Sequence, residues 1–282
     1  MRYSQSDLQK LQTVLYEILE EIHRICQNNN IPYFLLGGSA IGLYYDKAIL
    51  PWDDDLDIGM TRDNYDKFIE VASKELNRKY FLSCIDTDAH TPFFYTKIKA
   101  NGTLFVEERY KDVPMHHGIF VDVFPIDRMP NNSIVRKCQY KIVNFLKCCL
   151  MSKEVWLWKY FGKCQLANPL PRFFLSCFLN RLFNIFFPKR AIYKMLVAAS
   201  TFFNKSKSAL WGSAVTNTDY IYEEELDNLR IVRFGSIKAY SVSDIKMFLL
   251  RNYPLLHRYT EDEVSSLSCD HAPILLKFNE NE

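Results

Sequence analysis

Hydrophobic residues recur every three or four positions from Leu8 to Ile25, with polar residues between them. This spacing places the apolar side chains on one face of a helix and predicts that this face contacts a protein core. Ser6, followed three positions later by Gln9, is typical of a capping box, and the asparagines at residues 28–30 interrupt the pattern. The chain is therefore expected to begin with an amphipathic helix.

The pattern then changes to short apolar runs. Residues 31–36 (IPYFLL) are too few for an ordinary helix and stop at Gly37 and Gly38, so they predict a buried strand that enters a tight turn. Ser39 is a suitable N-cap for the next helix, which is expected over AIGLYYDK. A strand, a glycine turn and a helix should thus follow one another.

Several aspartates stand in otherwise apolar surroundings. In ILPWDDDLDIGM, acids and apolar residues alternate with the period of a strand, which places Asp55 and Asp57 on one face. Asp122 lies in the middle of the apolar run GIFVDVF. Carboxylates in a poorly solvated site raise one another's pKa, so a bound cation is the expected remedy. A calcium-binding EF-hand does not fit, because it needs Gly and a final Glu where the chain has Ile58 and Asn64.

The remaining pattern divides the chain into two parts. A predicted helix from Thr61 is followed by YFLSCI, FFYTKIK and TLFVEE, short runs that predict strands. Residues 132–204 have a helical, aromatic and basic pattern, and the tail adds a strand near residues 229–234 and a helix over VSDIKMFLLRNY. We predict an α/β (α+β) fold, with a core at residues 1–130 and a helical, aromatic-rich region at 131–282 packed on it.

Composition narrows the class of protein. Hydrophobic residues make up 48% of the chain and charged residues 24%, which is typical of a soluble globular protein. A net charge of +2 argues against a general nucleic-acid binder. The eight cysteines show no C-x-x-C spacing, and no secretory signal precedes the first helix. Reduced thiols and a cytoplasmic location are expected.

The longest apolar run, residues 173–187, is interrupted by Arg181 and falls short of the roughly 20 apolar residues of a membrane-spanning helix. A packed core helix is the favoured interpretation, because apolar residues nearly surround it. The alternative is peripheral membrane contact, with Arg172, Arg181, Lys189 and Arg190 near lipid phosphates at the inner membrane surface.

The Gly-Gly-Ser turn and the three acids combine into a candidate phosphate site. Backbone N–H groups at a glycine turn before a helix can donate hydrogen bonds to phosphate oxygens, and glycine permits close approach. Asp55 and Asp57 could hold Mg²⁺ or Mn²⁺ against a diphosphate. The residues thus point to phosphoryl-transfer chemistry.

These elements resemble the LicD phosphocholine transferase family of the nucleotidyltransferase superfamily, to which fukutin-type proteins are related. The runs IPYFLLGGSAIGLYYDKAILPWDDDLDIGMTRDNYDKF and HHGIFVDVFPID are similar to two blocks of that family, and FGSIKAYSVSDIKMFLLRNYP is similar to its C-terminal segment. Residues 45–48 (YDKA) depart from the basic Arg-His-Lys-Gly-like run that the family commonly carries. The resemblance implies a nucleotidyltransferase-like mixed-sheet core with a helical second half.

The resemblance also implies roles for individual residues. Gly38 and Ser39 would contact the nucleotide phosphates, with Gly37 beside them. Asp55 and Asp57 would bind metal. Asp122 would complete the metal site or accept the hydroxyl proton, and Asp53 and Asp54 would orient the ligands.

Basic and aromatic residues near these acids are further candidates. Lys97 and Lys99 share one strand face and either stabilise charge on the departing nucleotide or are ordinary surface lysines. Trp52 and the aromatic residues 93–95 either hold a quaternary ammonium by cation–π contacts or pack in the core.

The reaction implied by the resemblance transfers phosphocholine from CDP-choline to a sugar hydroxyl of a cell-surface glycan, such as a lipopolysaccharide, teichoic acid or capsule precursor, and releases CMP. The same fold could instead transfer phosphoethanolamine, glycerol phosphate or ribitol phosphate, or move NMP from an NTP with loss of pyrophosphate. A different class, a non-catalytic membrane-associated scaffold, would function without metal.

Overall fold

The computed structural model describes residues 4–155, 171–254, 257, 271 and 273–279, with residues 171–178 described by their backbone alone. Its helices are α1 (Gln5–Asn28), α2 (Gly37–Tyr45), α3 (Arg62–Glu75), α4 (Ser133–Met151), α5 (Pro171–Phe186), α6 (Lys189–Ser200), α7 (Glu223–Asp227) and α8 (Ile245–Asn252). Its strands are β1 (Phe34–Leu35), β2 (Asp57–Thr61), β3 (Tyr80–Ser83), β4 (Thr96–Ala100), β5 (Leu104–Glu107), β6 (Phe120–Arg128), β7 (Leu210–Ser213), β8 (Thr218–Tyr222), β9 (Arg230–Phe234), β10 (Ile237–Ser241) and β11 (Pro273–Lys277). The predicted mixed α/β class is confirmed.

The central sheet has seven strands in the order β1-β2-β6-β4-β3, extended by β7 and β8 from the end of β6. Strands β2 and β6 run parallel, whereas β1, β4 and β7 pair antiparallel with their neighbours. Elsewhere β9 pairs with β10, and β5 pairs with β11. Because β2 and β6 run in the same direction, the residues at their starts meet at one edge of the sheet.

One face of this sheet is packed and the other carries the acids. Ile58 lies opposite Val123, and both side chains are fully buried in the main core. Ile98 and Val121, which are also opposite each other, are equally buried. Since successive side chains of a strand point to opposite faces, the residues one position earlier or later point away from this packed face.

Helix α1 lies against the main core with its predicted apolar face, and Leu11, Leu15 and Ile18 are fully buried. The predicted capping box at Ser6 is wrong. Ser4 has an extended backbone and its Oγ accepts a hydrogen bond from the Asp7 N–H at 3.1 Å, so the helix begins one position before Ser6. The end of the helix at residue 28 is confirmed.

Ser39 is not the N-cap of α2, because the helix already begins at Gly37 and Leu36 precedes it in the capping position. Gly37 has a φ of +51°, a left-handed conformation that glycine adopts without strain. Ser39 therefore lies in the first turn, where its Oγ is free to reach another element. It accepts a hydrogen bond from the Asp57 N–H at 2.9 Å and so joins α2 to the start of β2.

Within the predicted helical stretch, the described residues form α4, α5 and α6, with α4 packed on α6 around Val143, Leu150, Ile192 and Leu196. The second half also supplies strands that the pattern did not predict. Strand β7 pairs with the end of β6 and thereby extends the central sheet, while β11 pairs with β5. The pairing of β11 with β5 thus brings residues far apart in sequence to the sheet edge that carries the acids.

Helix α5 contains the long apolar run. Leu179, Leu182, Ile185 and Phe186 are exposed, so the predicted core burial is wrong for this part of the helix. The side chains of residues 171–178 lie outside the described residues. Within the described parts of the chain, each helix is too short or too polar to cross a bilayer.

Among the described residues, Cys26, Cys84, Cys138, Cys148 and Cys149 are free, and the reduced state of the thiols stays a prediction. The side chains of Cys164, Cys177 and Cys269 lie outside the described residues.

Candidate active site

Three charged residues form a row across the central sheet. Asp57 of β2 lies opposite Asp122 of β6, and Asp122 lies opposite Lys97 of β4. Residues in register on neighbouring strands point to the same face, so the two carboxylates and the ammonium are neighbours. Asp122 and Lys97 are only 3% and 2% exposed. The row brings together residues from three separate parts of the sequence.

Repulsion between the acids is visible in their pKa values. Burial raises the pKa of Asp57 well above its ordinary value, and the negative charges of Asp55 and Asp122 raise it further. Burial also raises the pKa of Asp122, although Lys97 opposes this shift. A metal-free site therefore carries a free-energy penalty that a bound cation would relieve.

Lys97 is an internal cation of the site. Its Nζ donates to both oxygens of Asp122, at 2.6 and 2.9 Å. The same Nζ lies 3.4 Å from the ring centroid of Phe120, 4.4 Å from that of Phe93 and 5.3 Å from that of Tyr95. The surface-lysine interpretation is therefore wrong for Lys97, which fills an aromatic cage with its own ammonium.

The loop before β2 gathers the other acids. One carboxylate oxygen each from Asp53, Asp54 and Asp55 can be chosen so that all lie within 4.8 Å of one another. Gln12 Nε2 holds this loop by donating to the carbonyls of Leu50 and Asp53, both at 3.0 Å. Burial and the charge of Asp55 raise the pKa of Asp53 well above its ordinary value.

This donor set suits a hard divalent cation. Carboxylate oxygens are the ligands that Mg²⁺ and Mn²⁺ prefer. The raised pKa values of these acids indicate that the site contains too little positive charge to balance its carboxylates. The structure adds Asp53 and Asp54 as candidate ligands beside Asp55, while Asp57 and Asp122 follow in register on the sheet. The metal assignment of Asp55, Asp57 and Asp122 stays a prediction.

The glycine turn touches these acids directly. A Cβ atom on Gly37 would lie 3.3 Å from Asp57 Oδ2, and one on Gly38 would lie 2.5 Å from Asp53 Oδ2. Two side-chain-free residues therefore allow the backbone to lie against both carboxylates. Ser39 is buried and its Oγ is bonded to the Asp57 N–H, so its predicted phosphate contact stays a prediction.

We expect Gly38→Ala to lower activity by about tenfold or more, since small displacements of catalytic groups have effects of this size. The new methyl group would push the Asp53 carboxylate aside, and this flexible side chain can move without unfolding the protein. Steady-state kinetics and a thermal melt would measure both effects.

Gly102→Ala is the matched control for this substitution. Gly102 has a φ of +73°, and a Cβ there meets no atom within 4 Å. The control should lose stability through backbone strain and keep its activity. Full activity in Gly38→Ala would contradict a role for the glycine turn.

His271 is a site residue that the pattern did not reveal. Its Nε2 lies 3.1 Å from Asp55 Oδ2 and its Nδ1 lies 3.6 Å from Glu107 Oε1. Burial lowers the pKa of His271, but Asp55 and Glu107 together raise it to about 11. In turn, His271 lowers the pKa of Asp55 against the effect of burial. The pairing of β11 with β5 brings His271 here, and no local motif marks it.

A further acid approaches from the second half of the chain. Asp219 has a φ of +60°, and its Oδ1 accepts a hydrogen bond from the Tyr253 hydroxyl at 3.3 Å. Burial raises the pKa of Tyr253, as do the charges of Asp219 and, more weakly, Asp57. The end of the C-terminal helix α8 therefore lies within electrostatic reach of the acids.

Other predicted residues lie in packed surroundings. Lys99 is buried, donates from Nζ to the His116 carbonyl at 2.5 Å and lies 3.5 Å from Asp88 Oδ2. Burial lowers the pKa of Lys99 to about 8. Trp52 is half-buried and packs against the main core, and Phe94 belongs to the core between α4 and α6. Their predicted substrate contacts stay predictions.

Comparison with known proteins also points to a nucleotidyltransferase domain. Residues 30–147 match the protein family described as LicD/FKTN/FKRP, nucleotidyltransferase domain. The lipopolysaccharide cholinephosphotransferase LicD of Haemophilus influenzae is 30% identical over 177 residues, which cover 60% of this chain and 64% of that protein. An uncharacterised protein of Rickettsia typhi is 26% identical over 130 residues, or 46% of this chain and 40% of that protein.

This chain spans less than two thirds of the length of each of these relatives. The matched segment contains the glycine turn, the acid loop and the row formed by Asp57, Asp122 and Lys97, whereas Asp219 and His271 lie outside it. Residues 30–147 of this chain therefore match the nucleotidyltransferase domain of the LicD family.

Proposed function

We propose that this chain transfers phosphocholine from CDP-choline to a sugar hydroxyl of a cell-surface glycan, with Mg²⁺ or Mn²⁺, and releases CMP. The observation that carries the proposal is the register of Asp57 and Asp122 on parallel strands beside the glycine turn. The family match and the likeness to a lipopolysaccharide cholinephosphotransferase support the reaction class and the kind of acceptor. Nucleotide donors are made in the cytoplasm, where we place the reaction.

In this reaction the acceptor oxygen forms a bond to the phosphorus of phosphocholine. The bond between that phosphorus and the bridging oxygen breaks, and CMP leaves with this oxygen and its electron pair. The hydroxyl proton passes to a base, for which Asp122 is a candidate. A divalent cation held by the carboxylates would neutralise charge on the diphosphate and make the phosphorus more electrophilic.

The chain's own groups position the reactants. Backbone N–H groups at Gly38 and Ser39, near the N-terminus of α2, are suited to donate to donor phosphates. Lys97 acts through Asp122, because its two hydrogen bonds hold both carboxylate oxygens in place. His271 holds one oxygen of Asp55, because its Nε2 lies 3.1 Å from Asp55 Oδ2. Two internal cations thus orient the acids and reduce their mutual repulsion.

The test is phosphorus NMR of the purified chain with Mg²⁺ and a crude membrane glycan extract. CDP-choline is compared with CDP-ethanolamine, CDP-glycerol, CDP-ribitol and CTP, since each donor gives a distinct product signal. We expect CMP to appear from CDP-choline only when both Mg²⁺ and the extract are present.

Other products would redirect the assignment. CMP from a different CDP donor alone would change the cargo, and pyrophosphate from CTP would indicate nucleotidyl transfer. If no donor turns over in an extract that supports a control enzyme, the scaffold alternative is preferred.

A further inference from the structure

Helix α5 packs against α4 through two asparagines and through Phe183, whose ring centroid lies 5.5 Å from that of Phe145. Asn180 is buried, and its Oδ1 accepts a hydrogen bond from the Cys149 thiol at 2.9 Å. One turn later, Asn184 Nδ2 donates to the Cys149 carbonyl at 3.1 Å and to Ser152 Oγ at 2.5 Å. Among the residues of α5 whose side chains are described, the face turned toward α4 therefore carries two amides beside Phe183.

Apolar side chains of the same helix face outward. Leu179, Leu182 and Phe186 follow one another at helical spacing and are 44%, 42% and 70% exposed, and Ile185 beside them is 73% exposed. We call these four residues the outer stripe. Single exposed apolar residues are ordinary, but a contiguous exposed stripe marks an interaction surface.

The chain around the outer stripe is strongly basic. Residues 132–204 contain twelve lysines and arginines and one acid, Glu154, a net charge of +11 within a chain whose total is +2. Glu154 is held by Lys189 at 2.8 Å. Arg181 is exposed within the span of the outer stripe, and Lys141 is exposed on the neighbouring α4. Such segregation of charge is expected of a surface that meets a polyanion.

We propose that the outer stripe docks on a bilayer surface that contains anionic phospholipids. Its apolar side chains enter the boundary between headgroups and acyl chains, and the exposed Arg181 and Lys141 contact lipid phosphates. A protein partner explains the apolar stripe but not the +11 charge, because the cores of protein interfaces are depleted of charged residues. This surface does not depend on the proposed reaction, although it would hold the chain near a lipid-linked acceptor.

Flotation of the full chain with vesicles tests the proposal. Vesicles of phosphatidylcholine alone are compared with vesicles of equal parts phosphatidylcholine and phosphatidylglycerol. We expect the protein to float with the anionic vesicles and to be released as NaCl is raised, because salt screens its attraction to lipid phosphates.

The Ile185→Gln/Phe186→Gln double variant should bind anionic vesicles at least about tenfold more weakly. Its melting temperature should be unchanged, since both positions are exposed. The matched control is Met247→Gln/Leu250→Gln, which replaces two exposed apolar residues of α8 outside the basic segment. This control should bind vesicles as the parent does.

Equal vesicle binding by the two double variants would overturn the proposal. Failure of the parent to float would also overturn it. If the parent were then a dimer in sedimentation velocity and the Ile185/Phe186 variant a monomer, the stripe would be assigned to a second copy of the chain.

Discussion

Asp57→Asn should lower turnover by about a thousandfold or more, because it removes a charged ligand from the proposed metal site. The same substitution should leave the metal-free protein as stable as the parent, or more stable. Burial and the charges of Asp55 and Asp122 raise the pKa of Asp57, so folding with a charged carboxylate at this position is unfavourable. Asparagine keeps the shape of the side chain and removes the charge.

The pH dependence has a definite sign. A carboxyl group whose pKa is higher in the folded than in the unfolded state reduces stability once the pH exceeds the unfolded value, about 3.9. The stability gained by Asp57→Asn should therefore be absent below that pH and grow as the pH rises toward neutrality. Added Mg²⁺ should raise the melting temperature of the parent and have less effect on the variant.

Thermal melts at several pH values, with and without Mg²⁺, measure the stability of parent and variant. The NMR assay measures their turnover. Glu70→Gln is the control, because Glu70 is 72% exposed on α3 and should change neither activity nor metal response. A variant that keeps its activity would move the metal site away from Asp57. A variant much less stable than the metal-free parent would assign Asp57 a structural role.

Asp127→Ala should lower the free energy of unfolding by about 3–5 kcal/mol, since it leaves a buried charge without its partner. Arg62 donates to Asp127 through Nε at 3.0 Å and through a terminal nitrogen at 2.6 Å, and both side chains are buried. Asn204 Nδ2 adds a third hydrogen bond at 2.9 Å. The pair joins α3, the end of β6 and the segment after α6.

Chemical denaturation measures this loss. Lys74→Ala is the control, because the Lys74–Glu70 pair is solvent-exposed and its removal should leave stability nearly unchanged. A loss of less than 1 kcal/mol in Asp127→Ala would show that water or another group replaces the carboxylate. Activity per folded molecule should be kept, because Asp127 stands five residues beyond Asp122 and is bound to Arg62.

If the protein were a non-catalytic scaffold, there would be no reason for it to contain an acid site that lowers its stability. A non-catalytic protein would gain stability by losing Asp57 or by shielding it, yet this chain keeps several acids with raised pKa values beside a glycine turn. Local conflicts with stability are expected where function requires them. The Asp57→Asn measurement separates the two alternatives directly.

Local pattern by itself determined much of this protein. The period of α1 identified its buried face, and the alternation in ILPWDDDLDIGM and GIFVDVF predicted strands that carry acids within apolar surroundings. These predictions succeed because side-chain direction repeats with the period of the local backbone. The resemblance of the same stretches to a known family was sufficient to predict the nucleotidyltransferase domain.

Capping and burial were decided by tertiary contacts. Ser39 bonds to the Asp57 N–H instead of capping α2, and the asparagines of α5 face α4 instead of water. Lys97 is buried because Asp122 and three aromatic rings surround its ammonium. Propensity and composition describe each residue alone, so they do not reveal partners contributed by other elements.

The register of the site was likewise decided only by the fold. Asp57 meets Asp122 across 65 positions of the sequence, and His271 reaches Asp55 through the pairing of β11 with β5. A shift of one residue in either pairing would turn the side chains to the opposite face. Core packing across the whole sheet selects one register. The periodicity of a single strand is the same in every possible register, so this pattern alone does not identify the correct one.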